Sequence, residues 1–79
     1  MELENFEKAK EIKEELNEML RLNGFCNNSS THITLEKLDS SNNWESISLP
    51  KLVKERTICY IKNIITARIE ELEQQFKEL

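Results

Sequence analysis

The residues of this 79-residue chain that could do chemistry gather in two places. Lys51 and Lys54 stand directly after Pro50, and Arg56, Tyr60 and Asn63 follow at steps of four and three that share one helix face. A helix opening there points free N–H groups outward, and added lysines would hold a phosphate or carboxylate against them. Lys54 strengthens this reading: by helical phase it falls in line with an apolar stripe, where a lysine must snorkel out or meet an anion. A cation, an aromatic ring and an amide on one face can grip a nucleotide or a peptide, although Tyr60 also suits simple packing. The second place is the middle of the chain. His32 and Trp44 are expected on the outer face of a β-hairpin, as near neighbours across its strands, where Trp44 can stack a base or anchor an interface. The plain alternative is a solvated face. Lys51 and Lys54 at the positive end of a helix, and Glu70, Glu71, Glu73 and Glu78 at its negative end, each cost on the order of a few tenths of a kcal/mol where exposed.

Other chemistries lack their parts. There is no metal-ligand spacing and no phosphate loop, so no metal and no cofactor are expected. Nucleophilic catalysis would need Cys26 or Cys59 beside His32 with an orienting carboxylate. Cys59 is expected inside helical packing, and Cys26 in a loop without a neighbouring cation to activate it. No enzyme is predicted. The cysteines form no CxxC pair, and two reduced thiols in a cytoplasmic protein are expected. Met1-Glu2-Leu3-Glu4 is acidic with no apolar run, so no secretion signal is read there, and no stretch approaches the length of a membrane span. Asn28-Ser29-Ser30 matches a glycosylation acceptor in form, but without export it marks only a loop.

The net charge of −4 argues against duplex nucleic acid as a partner, since clustered cations supply most of that affinity. The total hides a sharp layout. Residues 2–22 carry four cations and seven anions, and residues 23–50 sum to −2. Residues 51–68 set Lys51, Lys54, Arg56, Lys62 and Arg68 against Glu55 alone, and residues 69–79 return to −3.

The elements that must position these groups follow from hydrophobic spacing. Leu3, Phe6, Ala9, Ile12, Leu16, Met19 and Leu20 recur at three- and four-residue steps and predict a helix over 2–22. Asn23-Gly24 is expected to stop it, with Gly24 left-handed. After a polar loop over 25–31 the period changes to two. Ile33 and Leu35, then Ile47 and Leu49, alternate with polar residues around Asp39-Ser40-Ser41-Asn42-Asn43, predicting a β-hairpin over 32–49. Its face of Ile33, Leu35, Ile47 and Leu49 is expected to cover the helices. Pro50 fits the first turn of a closing helix over 50–79. The stripe there is Ile58, Ile61, Ile65, Ile69, Leu72, Phe76 and Leu79, spaced like a short coiled-coil seam. Val53, Tyr60, Ile64 and Ala67 lie well round from it, so this helix seeks burial on two sides.

The expected architecture is therefore α+β: long helix, two-stranded antiparallel hairpin, long helix, as one domain over 1–79. With 38% hydrophobic and 33% charged residues it is too apolar to be disordered. At this size, and without metal or disulfide, a second copy is expected to complete the core. The residues read as that oligomer interface are Val53, Ile58, Ile61, Ile64, Ile65, Ile69, Leu72 and Phe76.

The run Ser48-Leu49-Pro50-Lys51-Leu52, continuing through Ile61-Lys62-Asn63-Ile64-Ile65 to Arg68-Ile69-Glu70-Glu71-Leu72-Glu73-Gln74-Gln75-Phe76-Lys77-Glu78-Leu79, resembles the ending of small phage and prophage proteins. Those join a charged helix, a variable hairpin and a closing helix, and most have no assigned role. The resemblance implies the cytoplasm of an infected host and an anti-defence role, such as sequestering a phosphorylated nucleotide signal in an oligomer. An alternative is a protein–protein adaptor or inhibitor that binds a host protein through the acidic helix or the apolar seam. The ligand residues expected for the first role are Lys51, Lys54, Arg56, Tyr60, Asn63, His32 and Trp44.

Overall fold

The structure is a computed structural model and describes residues 2–79; Met1, which the expected domain includes, lies outside the described residues. The element order is helix, hairpin, helix: α1 (Leu3–Cys26), β1 (Thr34–Leu38), β2 (Trp44–Ser48) and α2 (Lys51–Lys77). The α+β expectation therefore holds. At 24 and 27 residues the helices are rods of about 36 and 40 Å.

α1 runs four residues past its expected end. Gly24 is helical, and no glycine has positive φ. One side-chain contact spans it. Arg21 reaches one turn forward across Gly24 to sit 5.8 Å from the centre of the Phe25 ring, a cation–π contact. The stop is supplied further on, where the Thr31 hydroxyl donates to the Phe25 carbonyl at 2.6 Å and the Asn28 carboxamide oxygen accepts from the Ser30 N–H at 2.8 Å. The first bond meets a carbonyl at the helix end, where intrahelical donors run out, and the second is an Asx turn in the loop beyond it. Pro50 sits one position outside α2 as its N-cap, and its carbonyl accepts from the Lys54 N–H at 2.8 Å.

The helices lie antiparallel. Cys26 at the end of α1 borders the same groove as Ile58, while Phe6 near its start borders another with Phe76. Between these ends Arg68 grips Glu15, its Nε donating to Oε2 at 2.5 Å and Nη2 to Oε1 at 2.9 Å, while Nη1 donates to Glu71 at 2.9 Å. The contact buries Ile65 (3% exposed) and Leu72 (0%). Both were expected in an oligomer interface. They are instead enclosed by their own chain, because their side of α2 faces α1.

The hairpin pairs Thr34 with Ser48, Leu35 with Ile47, Glu36 with Ser46, Lys37 with Glu45, and Leu38 with Trp44. Its turn is a three-residue loop of the type I plus left-handed form. Asn42 takes φ 62°, and the Asp39 carboxylate accepts from the Ser41 and Asn43 N–H groups at 2.8 and 2.9 Å. Asn and Asp are the residues that tolerate these roles. The register does place Leu35 and Ile47 on one face, yet that face does not cover the helices. Every strand residue is exposed, Leu35 at 60% and Ile47 at 66%, and neither strand packs on α1 or α2. With only Leu49 and Pro50 between β2 and α2, the hairpin leaves the end of the helix pair as a projection.

The result is an open molecule of 50 × 31 × 16 Å with a radius of gyration of 17.1 Å, against about 12 Å for a compact chain of this length. Its accessible surface is 6728 Å², where a compact monomer of 9.4 kDa would expose about 5,000 Å². The difference, about 1,700 Å², is about twice what one partner contributes to a standard protein interface.

Candidate functional site

A cationic concavity lies where the last turn of α1 meets the first turns of α2. It is a shallow groove of about 400 Å³, lined by Asn27, Asn28 and Ser29 from the loop and by Lys51, Lys54 and Lys62 from α2. Steps of three and eight residues place the three lysines on one side of α2. Cys26 and Ile58 contribute to the lining, and Glu55 brings one anion into it. Lys54 and Lys62 are half-buried and Lys51 is exposed. Among the described residues none of the three lysines is in an ion pair, and the first turn of α2 carries no acidic residue. Lys51 and Lys54 stand beside the unpaired N–H groups of the helix start, with Lys62 about 16 Å further along the same side, and such an arrangement attracts an anion.

Only part of the expected ligand set meets here. Arg56, Tyr60 and Asn63 do share a face, and all three are exposed, but that face points away from α1 and from the groove. His32 and Trp44 are not neighbours. The register puts Trp44 opposite Leu38, six residues along the strand from His32, or about 20 Å. Both are exposed, Trp44 near the tip of the projection and His32 at its base. Lys62, counted before only in the basic segment, is the cation that the structure adds to Lys51 and Lys54.

Both cysteines depart from expectation. They are free, but Cys59 is exposed, and Cys26 closes α1 in a groove with three lysines. Among the described residues no group of three or more His, Cys, Asp or Glu side chains is placed to hold a metal ion, and no helix is long and apolar enough to cross a membrane.

The Arg68–Glu15 pair escaped the sequence reading, although a signal for it exists. Arg68 falls within the Ile58–Leu79 stripe, and Glu15 interrupts the apolar face of α1 between Ile12 and Leu16. A charge inside each of two facing stripes points to a pair between them. The Arg68 hydrogen bonds hold the Glu15 carboxyl below its ordinary range against the opposing effect of desolvation, and the same bonds raise the already high pKa of Arg68.

Of the remaining interface candidates, Ile58, Ile61 and Ile69 are half-buried, while Val53, Ile64 and Phe76 are exposed. Phe76 shares a shallow apolar groove with Phe6 and Ala9. On the hairpin, Leu35 and Ile47 border a concavity of about 490 Å³ beside the Lys37–Glu45 ion pair at 3.5 Å. No protein-family model, curated protein or solved structure matches this chain.

Proposed function

We propose that this protein is a non-enzymatic binding protein that works as an assembly of identical copies. The observation that carries the reading is the surplus of about 1,700 Å² of accessible surface over a compact monomer, with Ile65 and Leu72 as the buried apolar side chains among the described residues. Large apolar side chains are exposed on α2, on α1 and on the hairpin, and where such side chains adjoin they mark interaction sites. The ligand in this proposal is a small phosphorylated molecule of the nucleotide class, held by Lys51, Lys54 and Lys62 with the Asn27–Ser29 loop. The setting is the cytoplasm of a phage-infected host, where Cys26 and Cys59 stay reduced and the captured nucleotide is a defence signal.

The test has two parts. Native mass spectrometry of freshly purified protein should give a multiple of 9.4 kDa, together with any molecule carried along. A nucleotide panel should raise the melting temperature by more than about 10 °C at a hundredfold excess over Kd. Lys54→Glu with Lys62→Glu should remove that rise while leaving the mass unchanged. A single-copy mass at micromolar concentration overturns the assembly, and a flat melt across the panel overturns the ligand.

One observation favours a second reading, a protein–protein adaptor. The hairpin stands clear of its own helices and exposes Leu35 and Ile47 on one face and Leu38 and Trp44 on the other. A flat melt combined with loss of a co-purifying protein in Trp44→Ser would select that reading.

A further inference from the structure

We draw no further inference here: the strongest candidate, the exposed apolar stripe of Val53, Tyr60 and Ile64 on α2, is an unpartnered helix face, and nothing in the structure shows what covers it.

Discussion

Gly24→Ala separates two physical pictures of where α1 ends. In the structure Gly24 is helical, two residues short of the last helical residue, and a Cβ built on it meets nothing within 4 Å. Alanine therefore brings no clash. It also removes the extra freedom that glycine has in the unfolded chain, an effect of about 0.4–1 kcal/mol at compatible sites. The full interior propensity difference is about 1 kcal/mol, and fraying near the helix end reduces it, so about 0.7 kcal/mol is the working figure. A domain of this size shifts by about 4–8 °C per kcal/mol, which makes the expected rise in melting temperature about 3–6 °C. Thermal melts by circular dichroism, at matched concentration because association shifts the midpoint, read it directly. Had Gly24 been the left-handed terminator that Asn23-Gly24 suggests, alanine would cost about 1–2 kcal/mol. A fall in melting temperature would therefore refute the continuous helix and the capping by Thr31.

Three further outcomes follow from the packing. Leu72→Ala removes three fully buried carbons, worth about 2.4 kcal/mol in transfer alone and about 3 kcal/mol with the cavity; Leu52→Ala, at an exposed site, should stay within about 0.5 kcal/mol. Equal losses in urea midpoints would deny that the α1–α2 contact is the core. Glu15 has a folded pKa lowered from its ordinary 4.5, so its stabilising effect is present above the unfolded pKa and is lost as pH falls through the folded one. The gap in urea midpoint between the native chain and Glu15→Gln should be open at about pH 6 and narrow as pH falls below the ordinary carboxylate range, and a gap independent of pH contradicts the ion pair. In the hairpin, Asp39→Ala and Asn42→Val should erase strand amide protection while the helical melt stays put. A helical melt that falls with them would show that the strands do pack on the helices.

Periodicity alone determined the order of elements, because helix and strand periods are local properties of the apolar pattern. The 3.6-residue recurrence from Leu3 to Leu20 and from Ile58 to Leu79, and the alternation at Ile33-Leu35 and Ile47-Leu49, needed no knowledge of neighbours. The Asp39–Asn43 turn was equally legible, since its hydrogen bonds are made within five residues. Where α1 stops was not, because Thr31 caps it from within the following loop and outweighs the local signal at Gly24. Nor could spacing say which apolar face meets which. Leu35 and Ile47 alternate as a buried face would, yet they face outward, and Ile65 and Leu72 are covered by α1. The candidate site divides the same way. Arg56, Tyr60 and Asn63 share a face by helical phase alone, whereas the gathering of Lys51, Lys54 and Lys62 around Asn27–Ser29, the parting of His32 from Trp44, and the capture of Arg68 by Glu15 all depend on how two rods lie side by side. Phase tells each side chain its direction from its own axis; only the packing of the axes decides what it meets there.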